Sequence, residues 1–210
     1  MDREEISQEV FLVAAFATLI RHGLCSDALK MAMSMHAATT SSASDCRKFP
    51  EGVRLAADSS PAKIGELLMG LPLFHDAESW ELQILSKSFR LYNVDAGASL
   101  FSEGDEGSFM ALIVDGTVEI TKQNDPKGPV KIGTEGFGRS LGEMALIDGE
   151  PRSATAKFVK NGKVLILARE NFESIMTEHP RLGIDFLWRI CRVLSQRLRR
   201  TTGSLSERLP

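Results

Sequence analysis

Cysteine is scarce in this 210-residue chain, which contains only Cys25, Cys46 and Cys191. Their number is odd and their spacing is wide, so the sequence indicates neither a disulfide framework nor a Cys-x-x-Cys metal or redox site. Reduced thiols in a cytoplasm are the simplest interpretation. Because Cys25 and Cys191 lie near apolar residues, we expect both thiols to be buried.

The sequence also lacks an apolar run long enough to cross a membrane. Residues 10–20 form an apolar run, but a membrane-spanning helix needs roughly 20 such residues. Residues 1–5 are net acidic, whereas a signal peptide begins with basic residues. We therefore expect residues 10–20 to form a buried helix in a cytoplasmic protein with no membrane partner.

No residue pattern typical of an enzyme is present. The sequence contains no Ser-His-Asp, His-Glu-x-x-His, metal-ligand or Walker pattern, and its histidines, His22, His36, His75 and His179, are scattered. We expect no catalytic residue, no metal site and no enzymatic activity. The formal net charge of −3 also excludes a chain that binds nucleic acid through its overall charge.

Composition and length indicate one ordinary globular domain with an appendage, since 43% of the residues are hydrophobic and 25% are charged. Apolar side chains at helical spacing predict an N-terminal helical hairpin over residues 1–38. The hairpin either docks on the main domain or resembles one tetratricopeptide-like helix pair that needs a partner surface. Small polar residues predict a linker over 39–61, so the main domain is expected over 62–202, with a tail at 203–210.

Short apolar runs separated by turn residues fill the middle of the chain and are typical of an all-β sandwich or barrel. The predicted strands are residues 89–94, 100–101, 109–114, 118–121, 130–132, 155–158 and 164–167. Asp115-Gly116 and Asn161-Gly162 predict two-residue hairpins between neighbouring strands. Helices are predicted over 62–71, over 79–85, after an Asn171 cap, and over 181–200 beyond Pro180.

The stretch from Leu141 to Thr155 carries the most informative chemistry. Gly142 has no Cβ and lets the backbone approach a ligand, and a short helix beginning near Met144 would present N–H groups to an anion. The planar guanidinium of Arg152 is a hydrogen-bond donor group suited to a phosphate, and the Glu143 carboxylate accepts hydrogen bonds from hydroxyl groups. One acid for a sugar and one arginine for a phosphate form a recognition set of nucleotide size.

This stretch resembles the phosphate-binding cassette of the cyclic nucleotide-binding domain family, in which Phe-Gly-Glu-x-Ala-Leu is followed by Pro-Arg-Ser/Ala/Thr-Ala. Leu141 replaces the usual aromatic residue, and Glu135 and Arg139 are expected to pair in a glycine-rich approach. Family positions also match at Gly97, Gly104-Asp105 and Gly116. The resemblance is to the catabolite-activator and protein-kinase-A regulatory type. It covers residues 62–202 and implies a mainly β jelly roll, a double-stranded β-helix, with flanking α-helices.

The resemblance also implies a ligand and its contacts. Glu143 would accept the ribose 2′-hydroxyl and Arg152 would neutralise the cyclic phosphate, with further contacts from Gly142, Met144, Ala145, Ser153 and Ala154. The predicted ligand is cAMP or cGMP, and Ser153, where threonine often accompanies cGMP, weakly favours cAMP. Taken singly, Glu143 also fits a solvated turn acid, and Arg152 fits a partner of Asp148 or Glu150. Candidates to cover the base are Trp188, Arg189 and Arg192, although Trp188 fits a core position equally well.

The predicted function is therefore signal transduction by a cyclic nucleotide-binding module of a bacterial regulator, which senses cAMP and transmits through its C-terminal helix to a partner. The N-terminal helices are one candidate surface for a protein partner. The alternative is a ligand-free interaction scaffold with the same fold. The chain ends shortly after Arg200, so we expect no helix-turn-helix or other DNA-binding domain. A homodimer through the C-terminal helix would use Leu182, Phe186, Ile190 and Leu194.

Overall fold

The computed structural model describes residues 49–124 and 126–206, with side chains described as far as residue 203. The predicted N-terminal hairpin, Cys25 and Cys46 lie outside these residues. Within the described ranges, no helix is both long enough and apolar enough to cross a membrane.

Two antiparallel sheets form the body of the described domain. Its strands are β1 (Val53–Leu55), β2 (Phe89–Val94), β3 (Ser99–Phe101), β4 (Phe109–Asp115), β5 (Val118–Gln123), β6 (Pro129–Glu135), β7 (Ser140–Leu141), β8 (Thr155–Phe158) and β9 (Gly162–Ala168). One sheet has the order β1-β2-β9-β4-β7 and the other the order β3-β8-β5-β6. This arrangement confirms the predicted mainly β jelly roll.

Helices flank the sheets: α1 (Pro61–Met69), a 3₁₀ turn (Pro72–Phe74), α2 (Ser79–Ser88), α3 (Glu143–Asp148), α4 (Arg169–Glu178) and α5 (Pro180–Ser206). Helix α2 begins with a capping box in which Glu78 and Glu81 exchange side chain-to-backbone hydrogen bonds. The predicted Asn171 cap is wrong. Helix α4 starts two residues earlier, and Asn171 Nδ2 instead donates to the carbonyl of Ser88 at 2.7 Å.

The hydrophobic core has two parts. One lies between the helices and the five-stranded sheet and includes Phe74, Phe89 and Phe186. The other lies between the sheets and includes Ile113 and Phe158. Aromatic rings in the first part stack edge to face or tilted, with the ring centroids of Phe74 and Phe186 at 5.6 Å.

Helix α5 contributes to this core, which corrects two predictions. Leu182, Phe186 and Ile190 are at most 1% exposed, and Leu194 is partly buried against the same core, so these four residues do not form a free homodimer face. Cys191 is exposed rather than buried. The residue after Ile190 on a helix is turned about 100° away from it, so burial of Ile190 directs Cys191 outward.

The turns Asp115-Gly116 and Asn161-Gly162 do not form hairpins, which corrects a further prediction. Strand β4 pairs with β9 and β7, whereas β5 pairs with β6 and β8, so both turns carry the chain from one sheet to the other. A short turn sets the local change of direction, but strand pairing is set by what the two faces of each strand bury.

The predicted linker over 39–61 is wrong for the part that the structure describes. Strand β1 pairs with β2, with Val53 opposite Val94. The Phe49 ring lies 4.8 Å from Tyr92 and 5.3 Å from Phe109, measured between ring centroids. The folded domain therefore begins at Phe49 rather than near residue 60.

Candidate functional site

A cleft of about 660 Å³ opens between the four-stranded sheet, helix α3, the loop that follows α3 and the end of α5. All seven predicted ligand-binding residues line this cleft: Gly142, Glu143, Met144, Ala145, Arg152, Ser153 and Ala154. The fold therefore brings the contiguous cassette and the distant C-terminal helix to the same cavity.

Gly142 is required by the local geometry. It precedes α3, which begins at Glu143, one residue before the predicted start, and it adopts a left-handed conformation with φ of 73°. A Cβ at this position would lie 2.1 Å from Nη1 of Arg152. Only glycine combines this backbone conformation with such a close approach of the guanidinium.

Arg152 is 3% exposed, with its guanidinium held inside the domain. Its Nη1 donates to the carbonyl of Gly142 at 3.0 Å, and its Nη2 donates to the carbonyl of Phe109 at 2.7 Å. The guanidinium carbon lies 4.2 Å from the ring centroid of Phe101 and 4.5 Å from that of Phe109. The interpretation of Arg152 as a mere surface partner of exposed acids is therefore wrong. The geometry fixes a positive charge at the wall of the cleft.

Glu143 is 1% exposed, so the interpretation as a solvated turn acid is also wrong. Its Oε1 accepts a hydrogen bond from Nη1 of Arg197, whose Nη2 donates to the carbonyl of Ser140 at 2.5 Å. Its Oε2 is buried and has no hydrogen-bond partner among the described residues. An unpartnered buried acceptor raises the free energy of the folded state, so a donor that enters the cleft and reaches Oε2 is stabilised there.

Arg169 supports the cassette from outside the cleft, and sequence reasoning did not identify it. It is the first residue of α4, and its guanidinium donates to the carbonyls of Leu146 at 3.1 Å, Gly107 at 2.9 Å and Ala145. Two of these carbonyls lie in α3, near its C-terminal end, where a cation is also favoured by the helix dipole. No sequence signal connects Arg169 to α3, because the contact depends on tertiary packing.

The residues predicted to cover a base are not placed at the cleft. Trp188 is 53% exposed, Arg189 is buried in an ion-pair cluster, and neither they nor Arg192 line the cavity. The α5 residues that do line it are Arg197, Arg200 and Thr201. Helical spacing from Arg197 would have found the other two, since positions three and four apart share a face.

The expected pair in the approach to the cassette is confirmed. Nε of Arg139 lies 3.2 Å from Oε2 of Glu135. This pair ties the end of β6 to the turn before β7, and Glu135 itself lines the cleft.

Comparisons with known proteins agree with this geometry. Residues 92–179 match the family model described as cyclic nucleotide-binding domain. A cyclic nucleotide-gated potassium channel of Mesorhizobium japonicum is 32% identical over 121 residues, which are 58% of this chain and 32% of the channel. A CRP-like cAMP-activated global transcriptional regulator of Mycobacterium tuberculosis is 27% identical over 143 residues, which are 68% of this chain and 62% of the regulator.

The similarity to cyclic nucleotide-binding domains extends to the folded structure. A cyclic nucleotide-binding domain from Methylobacillus flagellatus superposes with a TM-score of 0.66 at 29% identity, covering 76% of this chain and 91% of that domain. The chain spans less than two thirds of the length of the two curated relatives above. Residues 92–179 and the jelly roll around them therefore match the cyclic nucleotide-binding domain family, of the catabolite-activator and protein-kinase-A regulatory type.

Proposed function

We propose that this domain binds cAMP, or less favourably cGMP, in the cleft described above and acts as the sensing module of a regulatory protein. The observation that carries the proposal is the joint placement of Glu143 and Arg152, both buried and both at the wall of one cavity of about 660 Å³. That volume suits a nucleotide-sized ligand.

The cyclic phosphate would lie beside Arg152. The guanidinium is buried and already oriented by two backbone carbonyls, so little side-chain entropy is lost when an anion arrives. Ser153 follows directly, is exposed and offers a hydroxyl and an N–H at the same wall. A charged hydrogen bond in such a place is worth more than one at the protein surface.

The ribose would lie beside Glu143. Oε2 of this carboxylate is a buried acceptor with no partner in the described part of the chain, and a ribose 2′-hydroxyl is a donor of the right kind. The purine would extend toward the end of α5, where Arg200 and Thr201 line the cavity with Ile132 opposite on β6. A guanidinium or an apolar side chain packs well on the face of a purine.

Transmission would run through helix α5. Arg197 joins α5 to Glu143, so a ligand that engages Glu143 changes the environment of that ion pair and the preferred position of the helix. Coupling of this kind amounts to about 1–3 kcal/mol in typical allosteric proteins. Similarity to a cyclic nucleotide-gated channel and to a cAMP-activated regulator supports a regulatory role without catalysis in this domain. A cytoplasmic location fits the same role.

A ligand-free interaction scaffold is the second candidate. It is favoured by one observation: the functional groups of Glu143 and Arg152 already have partners inside the chain. In that case the ion pair and the carbonyl contacts would be structural only.

A homodimer through the C-terminal helix remains a proposal on a different face. Trp188, Cys191 and Leu198 are exposed on α5, with Trp188 at 53% and Leu198 at 69%. Their spacing of three and seven residues places them along one side of the helix. Light scattering with and without nucleotide, on the wild type and on Trp188→Glu, tests this proposal; a monomer in all cases contradicts it.

Calorimetric titration with cAMP and with cGMP tests the proposed ligand. We expect micromolar or tighter binding, with cAMP the tighter. Arg152→Ala should weaken it about 30-fold or more, since a charged hydrogen bond contributes about 2 kcal/mol. Arg181→Ala, an exposed arginine of α5 outside the cleft, is the matched control. Circular dichroism verifies that each variant is folded.

The outcomes separate the two candidates. Binding that is lost in Arg152→Ala and kept in Arg181→Ala supports the sensor. No binding of either nucleotide by the wild type favours the scaffold. Unchanged affinity in a folded Arg152→Ala variant refutes the role of Arg152.

A further inference from the structure

A second cleft, of about 300 Å³, borders the turn that leads into the cassette. It is formed by the 3₁₀ turn, the segment 138–140 and the middle of α5. None of its lining residues also lines the nucleotide cleft. Three arginines and one histidine line it together with a single acid: Arg139, Arg189, Arg192, His75 and Asp76.

Arg189 is the central group of this cleft. It is 8% exposed, its Nε lies 3.2 Å from Oδ1 of Asp76, and its Nη2 lies 3.1 Å from Oε2 of Glu81. Its Nη1 is buried and has no hydrogen-bond partner among the described residues. A charged N–H that has lost its water and gained no acceptor raises the free energy of the folded state. This nitrogen would therefore be stabilised by donating a hydrogen bond to an acceptor that enters the cleft.

The three arginines and the three carboxylates around the second cleft balance in number, but they are not paired one to one. Asp76 and Glu81 both face Arg189, and Glu135 is 3.2 Å from Arg139. Arg192 is exposed and has no ion pair in the described part of the chain. One anionic group that enters the cleft would therefore find one cation with no counter-charge and one buried donor with no acceptor.

We propose that this cleft binds a small oxyanion, the single carboxylate or phosphate group of a small metabolite. The group would accept from Nη1 of Arg189 and lie beside the guanidinium of Arg192. The planar guanidinium suits both kinds of group. Leu73, Pro72 and Val193 supply an apolar wall for the rest of the ligand. The inference does not depend on nucleotide binding, because the two clefts share no lining residue.

Such a ligand would connect α5 to the segment before β7. Ser140 lines the second cleft, and its carbonyl accepts from Nη2 of Arg197, the residue that pairs with Glu143. An anion bound here would thus stabilise the position of α5 that holds Arg197 at the nucleotide cleft. The second cleft would act as an effector site for the same helix.

The test is a titration of the full chain with inorganic phosphate and, separately, with butyrate, a monocarboxylate. Thermal unfolding and calorimetry follow each titration at an ionic strength held constant with sodium chloride. We expect a saturable response to at least one of the two probes, and the preferred probe identifies a phosphate or a carboxylate ligand. Arg192→Gln should weaken it at least about fivefold, through loss of one charge next to the anion. Arg199→Gln, an exposed arginine of the same helix that lines neither cleft described here, should leave it unchanged.

A second pair of variants keeps the proposal separate from the nucleotide site. Arg152→Ala should abolish nucleotide binding while anion binding persists. Arg189→Lys, verified as folded by circular dichroism, should weaken the anion at least as much as Arg192→Gln. The proposal is overturned by a response that never saturates, by equal effects of Arg192→Gln and Arg199→Gln, or by loss of the anion response in Arg152→Ala.

Discussion

Nη1 of Arg197 in helix α5 donates a hydrogen bond to Oε1 of Glu143, the first residue of α3, and so links these two helices. The two side chains are 28% and 2% exposed, which places the carboxylate inside the protein and the guanidinium at the rim of the cleft. One contact therefore joins the cassette to the element that would report its occupancy.

Removal of the Arg197 guanidinium should destabilise the fold. In Arg197→Met, Glu143 keeps its buried carboxylate without its charged partner, so we expect the free energy of unfolding to fall by about 1–3 kcal/mol. Arg199→Met, on the exposed side of the same helix, should change it by less than about 0.5 kcal/mol. Urea denaturation of both variants measures the difference, and equal midpoints would show that the ion pair contributes nothing.

Two left-handed glycines flank α3, and their alanine variants allow the cost of backbone strain to be measured separately from that of a steric clash. Gly142 and Gly149 have φ of 73° and 76°, but an added Cβ at Gly142 meets Nη1 of Arg152 at 2.1 Å, whereas at Gly149 it meets nothing within 4 Å. Both alanine variants should lose about 1 kcal/mol from the left-handed conformation. Gly142→Ala should lose about 1–3 kcal/mol more and displace Arg152.

Thermal unfolding of the two glycine variants measures the predicted losses of stability, and cAMP titration measures the effect of displacing Arg152. Gly149→Ala should keep the affinity of the wild type, while Gly142→Ala should lower it. If both variants bind equally well, the contact between Gly142 and Arg152 has no role in the site.

Arg169 should act as a positioning residue for α3. Arg169→Ala removes hydrogen bonds to Leu146, Gly107 and Ala145, so amide exchange over residues 143–149 should accelerate and cAMP affinity should fall about tenfold. Arg169→Lys should restore part of the slow amide exchange and part of the cAMP affinity, because an ammonium group still donates hydrogen bonds but cannot reach all of the same carbonyls.

Arg90→Ala is the matched control for Arg169. Arg90 also donates to backbone carbonyls, those of Lys87 and Phe89, but it does not line the cleft. Exchange over α3 should be unchanged in this variant. Acceleration of the same size in both variants would indicate general destabilisation rather than positioning.

Cys191 should react slowly with thiol reagents at neutral pH. Although the Cys191 side chain is exposed, desolvation by the protein around it raises the pKa of the thiol above its ordinary value, so the reactive thiolate forms only at higher pH. In a variant with Cys25→Ser and Cys46→Ser, the rate of reaction with Ellman's reagent should rise with pH through a midpoint above that of the same variant in urea. Coincident midpoints would contradict this prediction.

Much of the fold was predictable because its signals are local. The strand at residues 89–94 was predicted with its observed bounds, as alternation and flanking turns act over a few residues. The partner of β4 was not predictable from the Asp115-Gly116 turn, because pairing with β9 brings together residues about 50 apart in sequence. Strand β1 was missed because its three residues lie within a polar stretch.

The sequence by itself determined the cassette, since Gly142, Glu143 and Arg152 lie within a contiguous stretch whose spacing carries the motif. Only the tertiary structure decided that Arg197, 54 residues from Glu143, is its partner, and that Arg169, 62 residues from Gly107, holds α3 in place. A local motif depends on residue type and spacing. A contact between distant elements depends on how the core orients α5, and burial of Leu182, Phe186 and Ile190 determines which side of that helix faces the cleft.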